Sequence, residues 1–233
     1  MKNQVIIQPI AYIRSDFKEK FGIPRQSGRA PSLIARIVFE AQYRNKEALR
    51  EIESFSHLWL LFDFSKTRGE EFSPTVRPPR LGGNKRVGVF ASRSPFRPNH
   101  IGLSCVKLVR IEHTENEGDV LLVSGADLLD GTPIFDIKPY VPHADCHPEA
   151  KGGYADEQEG HKLQVEFPQA LLSRIPKGKQ AGLLECLADD PRPSYQNDPT
   201  RIYGMRFAEF EIKFRIEQDA LVVESVENVA HTE

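Results

Sequence analysis

Seven short runs in the first 140 residues alternate apolar and polar side chains with the period-two pattern of half-buried strands. They are Val5–Arg14, Leu33–Glu40, His57–Ser65, Arg86–Ser92, Leu103–His113, Val120–Gly125 and Ile134–Tyr140. One helical segment interrupts them. Asn45 has the chemistry of an N-cap for Lys46–Ser54, in which Leu49 and Ile52, followed by Phe55, recur on one helical face. A doubly wound sheet needs a crossover helix between successive parallel strands, so that architecture is excluded. A mainly β fold, barrel or sandwich, is left. Leu58–Phe62 is apolar on both faces and predicts a central strand, while Asp130-Gly131 predicts a tight type I′ turn joining the sixth and seventh runs.

The pattern lapses between His143 and Lys162, around Gly152-Gly153, into a loop or linker composition. The expected division is a β-barrel unit over 1–145, a linker over 146–162 and a small α+β unit over 163–233. In the last unit, Gln169–Ile175 and Ala181–Ala188 read as short helices. Tyr203–Ile216 alternates, with Phe210, Ile212, Phe214 and Ile216 on one face, and Leu221–Val226 returns after a turn at Gln218-Asp219. A unit of this size is marginal alone and is expected to pack on the first unit or on a second subunit.

Hydrophobic residues at 39% and charged residues at 27% describe a globular chain rather than a disordered one. The longest apolar run, Leu58–Phe62, is far short of the ~20 residues that span a bilayer, and Met1–Ser15 lacks a signal-peptide pattern. Cys105, Cys146 and Cys186 form no Cys-x-x-Cys pair, which predicts a cytoplasmic protein without a disulfide framework. The net charge of -2 hides an asymmetry: Phe72–Ile111 contains no Asp or Glu and eight basic residues. A local charge of +8 predicts an anionic partner.

No dinucleotide-binding or Walker glycine loop occurs, and no serine stands in a nucleophile elbow. His143, Cys146 and His147, with Asp145 between them, have a spacing that a metal could use, but a complete site needs a fourth ligand such as His161 or Cys186 at a distance the sequence does not fix, so no metal is expected. The densest motif is Gly88–Ser104, a strand followed by a proline-stiffened loop holding Arg93, Arg97 and Asn99. Two planar guanidiniums on a preorganised loop suit phosphate or carboxylate. The Asp127–Tyr140 segment brings three carboxylates, Asp127, Asp130 and Asp136, beside one turn. A third loop, Gly22–Gln26, offers hydrogen-bonding side chains.

Taken together, Pro24–Gln26, Phe55–Trp59, Arg77–Gly83, Gly88–Ser104 and Asp127–Tyr140 closely resemble the TrmO/YaeB family of tRNA N6-adenosine methyltransferases, and Asp190–Tyr195 resembles the hallmark of the family's C-terminal domain. The resemblance implies a β-barrel methyltransferase outside the Rossmann class, homodimeric, that uses S-adenosylmethionine. The implied substrate is threonylcarbamoyl-modified adenosine beside the anticodon of a threonine tRNA. Carried over, the cofactor site falls on Pro24, Arg25, Gln26, Ser65, Lys66, Arg93, Leu103, Asp130, Gly131, Thr132 and Pro133. His and Gln are usual in relatives where Ser65 and Lys66 stand, and Pro is common at His100. Asp127, Asp136 and Tyr140 are the candidate catalytic groups, and Arg77, Arg80, Lys85, Arg86, Arg97 and Arg192 the candidate RNA contacts. The rival readings are a non-catalytic single-stranded RNA-binding barrel, gripping through Phe90 and Phe96, and a barrel that binds an anionic small molecule. Removal of residues after Lys162 is expected to spare cofactor binding and to impair tRNA methylation.

Overall fold

A computed structural model of the chain describes residues 5–67, 71–78, 85–158, 162–192, 198 and 200–229. Twelve strands dominate it. Six of them, β1 (Ala11–Arg14), β2 (Ile34–Phe39), β3 (His57–Asp63), β6 (Ile101–Thr114), β7 (Gly118–Ser124) and β8 (Pro133–Pro139), close into a barrel in the order β1-β2-β7-β6-β3-β8. Every pairing in the ring is antiparallel, and β1 seals it by pairing with both β2 and β8. Side chains from alternate positions fill the interior, among them Ile13, Ile37, Leu58, Leu60, Leu121 and Ile134, all fully buried. Each such side chain contributes roughly 1.5–3 kcal/mol by leaving water. The expected central strand is β3, hydrogen-bonded on both sides by β6 and β8.

Two local expectations are corrected. The Lys46–Ser54 helix is broken into 3-10 turns at Lys46–Leu49 and Ile52–Ser54, because Glu51 between them adopts a left-handed φ of 65°. Asn45 still caps the first turn, accepting from the Glu47 amide at 3.0 Å. Asp130-Gly131 does not join paired strands: β7 lies between β2 and β6, and β8 between β1 and β3. The turn is also of another type. Gly131 has φ 75° whereas Asp130 is not left-handed, and Thr132 donates its amide to Leu129. Positive φ at only the second central residue is the type II signature, which Gly satisfies.

Outside the barrel, β4 (Thr75–Val76) and β5 (Val87–Gly88) form a two-stranded ribbon, and a 3-10 turn over Val89–Ala91 replaces the rest of the expected Arg86–Ser92 strand. A single helical turn, α1 (Pro142–Asp145), follows β8. The C-terminal part carries β9 (Gln164–Glu166), α2 (Gln169–Leu172), α3 (Lys177–Ala188), β10 (Tyr203–Phe207), β11 (Phe210–Glu217) and β12 (Ala220–Asn228). Its sheet runs β10-β11-β12-β9, with β9 parallel to β12. The expected Tyr203–Ile216 strand is folded at Ala208, φ 51°, into a tight hairpin, while the apolar face of Phe210, Ile212, Phe214 and Ile216 is buried as its alternation predicts.

This second sheet shares its core with the loop after β1. Phe17, Ala30 and Leu33 lie in one cluster with Leu183, Leu187, Phe207 and Phe214. Leu33 fits against Gly182 of α3, where a methyl group would collide with it. Polar links follow the same seam: Arg29 pairs with Asp189 at 2.9 Å, the Ser32 hydroxyl donates to Glu185 at 2.7 Å, and Lys179 pairs with Asp16. No helix among the described residues is long and apolar enough to cross a membrane.

Candidate active site

One end of the barrel opens into a cavity of about 190 Å³. Its wall combines apolar groups (Ile23, Phe62, Phe64, Pro95, Leu128 and Leu129) with Asp63, Asp127, Lys20, Ser65, Lys66, Thr67 and Thr132. The sequence places an acid, Asp63, at the end of the apolar β3 run, and the fold buries it at 4% exposure. Phe62 is seated on Gly102 of β6, since a Cβ there would run into the ring, and it meets Phe64 edge-on at 5.0 Å. Glycine is therefore required at 102 by close approach.

Asp127 stands where the loop after β7 crosses this opening. The Ser104 hydroxyl, buried inside β6, donates to its carboxylate. Burial raises the Asp127 pKa above the ordinary carboxylate range, while the bond from Ser104, its own backbone amide and the positive charge of Arg93 act in the opposite direction. Asp136 lies on the outer face of β8, paired with Lys138 at 2.9 Å and 45% exposed, outside the cavity wall. Tyr140 is also outside it, packed against Trp59 and His57, with a phenol pushed up by burial first and by neighbouring Cys146 and Asp145.

All the residues carried over for cofactor except Leu103 fall into three groups. Ser65, Lys66 and Thr132 line the cavity. Pro24, Arg25, Gln26 and Arg93 form an adjoining cluster: Arg93 donates to Gln26 at 2.7 Å, and Arg25 donates to the Arg192 carbonyl at 2.5 Å. Asp130, Gly131 and Pro133 hold the rim. Asp130 accepts from the Ser15 amide at 3.0 Å and pairs with Lys18 at 2.8 Å, the Gly131 amide donates to Ile13, and Pro133 faces Tyr12 across the ladder. Leu103 stands apart, 48% exposed on the outer face of β6 beside Ile101. Ile23 belongs to the Gly22–Gln26 loop, whereas Lys20, Asp63 and Thr67 carry no motif signal beyond the acid that ends β3.

The basic residues are equally divided. Arg77, Lys85 and Arg86 are exposed on or beside the β4–β5 ribbon, with Arg86 donating to the Thr75 hydroxyl at 2.8 Å. Arg97 is a strut, donating to the carbonyls of Ser92 and Val89 at 2.7 and 3.3 Å. Arg192 is held by Asp190 at 3.1 Å with its side chain 14% exposed. Arg80, Gly82, Gly83 and His161, with Pro193, Ser194 and Tyr195 of the C-terminal hallmark, lie outside the described residues. His100, the departure from Pro, places Nδ1 2.9 Å from the Pro95 carbonyl, which restrains the loop by hydrogen bonding where a ring would have done so. Among the described residues, no group of three or more His, Cys, Asp or Glu side chains is arranged to hold a metal ion.

The donor set fits S-adenosylmethionine: apolar walls for the adenine and the methylene stem, the buried Asp63 carboxylate for a positive charge, and Arg93 for a carboxylate. Comparison with known proteins agrees. Residues 12–146 match the tRNA-methyltransferase O N-terminal domain, and residues 160–229 match the TrmO C-terminal domain. The chain is 41% identical to the tRNA (adenine(37)-N6)-methyltransferase of Escherichia coli, over 90% of this chain and 92% of that one. It is 37% identical to a probable S-adenosyl-L-methionine-binding protein of Pyrococcus abyssi, over 69% of this chain and 80% of the other. A crystal structure of TrmO from Pseudomonas aeruginosa superposes with a TM-score of 0.78 at 34% identity, covering 97% of this chain and 100% of that one.

Proposed function

We propose that this chain, which belongs to the tRNA-methyltransferase O family and is an S-adenosylmethionine-dependent tRNA adenine-N6 methyltransferase, acts on threonylcarbamoyl-adenosine beside the anticodon of a threonine tRNA. The observation that carries the reading is Asp127, a carboxylate in the cavity wall whose pKa is raised by burial and whose orientation is fixed by Ser104.

S-Adenosylmethionine supplies an electrophilic methyl group on a sulfonium. The chain's own work is alignment, exclusion of water and removal of one proton. Phe62, Phe64, Leu128 and Leu129 provide the dry wall. The acceptor is urea-like, its lone pair delocalised into ring and carbonyl, so a base that removes the N6 proton raises its reactivity. Asp127 takes that proton. A raised pKa makes the carboxylate a stronger base, while Ser104 and Arg93 favour its ionised form. Asp136 and Tyr140 have no comparable access to the cavity and are assigned no part in the proton transfer. Pro24–Gln26, Ser65, Lys66, Arg93 and Thr132 hold the cofactor, with Asp130, Gly131 and Pro133 shaping the rim.

The barrel over 1–145 is the cofactor-binding unit, 146–162 the connection, and 163–233 the unit that braces the Pro24–Gln26 loop. A cytoplasmic homodimer is the proposed working form. Ile101, Leu103 and Val109, 39–48% exposed on β6, are the apolar face such a dimer covers, and burying it puts Leu103 at the subunit boundary. Calorimetry with S-adenosylmethionine tests the assignment: one site per chain, retained in Asp127→Asn while methyl transfer is lost. A variant that transfers methyl normally would refute Asp127 as the base.

A further inference from the structure

Two phenylalanines stand in water beside the site. Phe90 is 73% exposed and Phe72 49% exposed, and their rings stack at 6.4 Å with an interplanar angle of 26°. Neither contributes to a core cluster. The turn that carries Phe90 is nonetheless anchored. Phe90 sits on the Val89–Ala91 turn, where Val89 is 1% exposed and donates its amide to Pro74 at 3.0 Å. The Val89 carbonyl in turn accepts from the Ser92 hydroxyl at 2.8 Å and from Arg97, whose guanidinium lies 5.9 Å from the Phe90 ring centre.

We infer that the Phe72–Phe90 pair, backed by Arg97, is a stacking platform for an unpaired nucleobase flanking the target adenosine. Three observations select that occupant. The rings are flat, exposed and already stacked on one another, with Phe90 on an anchored turn, which favours a π-face over an aliphatic partner. The surrounding Phe72–Ile111 segment carries eight basic residues and no acid, and Arg77, Lys85, Arg86 and Arg93 are exposed within it, so the partner is anionic. The loop that carries Phe90 continues through Arg93, which acts on Asp127, to Pro95, which lines the cavity. A base stacked on Phe90 therefore lies one short, proline-stiffened loop from the reaction centre. Splaying a loop and stacking its bases on aromatic side chains is how single-stranded RNA is ordinarily read. Phe96, the other aromatic in the loop, is partly buried and is not part of the platform.

This inference rests on the tRNA substrate reading, and it is tested by binding so that the two fail separately. Full-length protein is titrated with an unmodified threonine anticodon stem-loop by fluorescence anisotropy over a range of salt, with S-adenosylmethionine affinity measured in parallel. Phe90→Ala and Phe90→Leu should weaken RNA binding about 10-fold, whereas Phe90→Tyr stays within about 2-fold of wild type. The slope of affinity against salt and the cofactor affinity should not change, because no phosphate or cofactor contact is lost. Phe72→Ala should weaken binding in the same direction. Wild-type affinity in Phe90→Leu, a wild-type protein that does not bind the stem-loop, or a change of oligomeric state in Phe90→Ala would overturn the platform. The last result would mark the patch as a self-association surface. Phe90-dependent RNA binding in a protein that fails to methylate tRNA would sustain the platform and refute the substrate reading.

Discussion

Arg93 donates to the side-chain oxygen of Gln26 at 2.7 Å, joining two loops that are 67 residues apart in the chain. The charge of the same guanidinium partly opposes the rise that burial imposes on the Asp127 pKa, so one residue connects the proposed cofactor loop, the basic loop and the proposed base. Arg110, by contrast, pairs with Glu112 on the outside of the barrel, with its side chain 57% exposed.

Arg93→Ala should therefore weaken S-adenosylmethionine binding by about 10-fold or more, the cost of one lost charge-assisted hydrogen bond. Arg110→Ala should bind cofactor as wild type does, since exposed ion pairs contribute little. Cofactor titration without RNA is the measurement, and equal losses in the two variants would refute the assignment.

Asp127 makes a paired prediction about activity and stability. As a base it works ionised, so methyl transfer should fall as pH drops through its raised pKa, and Asp127→Asn should lose about 10²–10⁴-fold in kcat. Ser104→Ala removes a bond that favours the ionised form and should move the acid limb to higher pH. For stability the sign reverses. A carboxyl whose pKa is higher folded than unfolded binds more protons in the native state, so its contribution is present at low pH and is lost as pH rises through the folded value. Asp127→Asn should thus melt higher than wild type at neutral pH, with the difference vanishing in acid. Thermal melts across pH decide this.

Gly102→Ala sets a methyl group against the Phe62 ring. Overpacking of this kind costs roughly 1–3 kcal/mol, and Phe62 is a wall of the cavity. The variant should melt lower and bind cofactor more weakly, while Gly88→Ala, where a methyl group meets open space, should do neither.

Truncation after Lys162 was expected from sequence to leave cofactor binding intact. The shared core reverses that expectation. Phe17, Ala30 and Leu33 lose the cluster that buries them, and Arg25 loses the Arg192 carbonyl. The truncated protein should lose stability and cofactor affinity together, measured by melting and calorimetry. A stable, cofactor-competent barrel would show that the two parts are independent.

What the sequence disclosed followed local periodicity. The β11 alternation, the doubly paired β3 and the acid-free basic belt all depend on neighbours in the chain, and Asn45 caps where its chemistry places it. What it concealed was long-range. Asp130-Gly131 looked like a hairpin because strand pairing is decided across the barrel, where β8 meets β1 and β3 instead of β7. The Lys46–Ser54 periodicity was helical, yet a left-handed Glu51 divides it. Arg97 and Arg192 read as phosphate ligands, and their partners, two loop carbonyls and Asp190, are visible only once the loops are folded. Lys20 and Thr67 reach the cavity by tertiary placement alone.

The central claim is the identity of the acceptor, and transfer of labelled methyl from S-adenosylmethionine to threonine tRNA tests it most directly. Matched tRNAs with and without the threonylcarbamoyl group are compared, with the label traced to N6 of the adenosine beside the anticodon. The modified tRNA should be labelled to about one methyl per molecule and the unmodified tRNA should remain at background, because the base removes a urea-like proton that only the modified adenosine offers. Equal labelling of both tRNAs, or label at another position, would contradict the account.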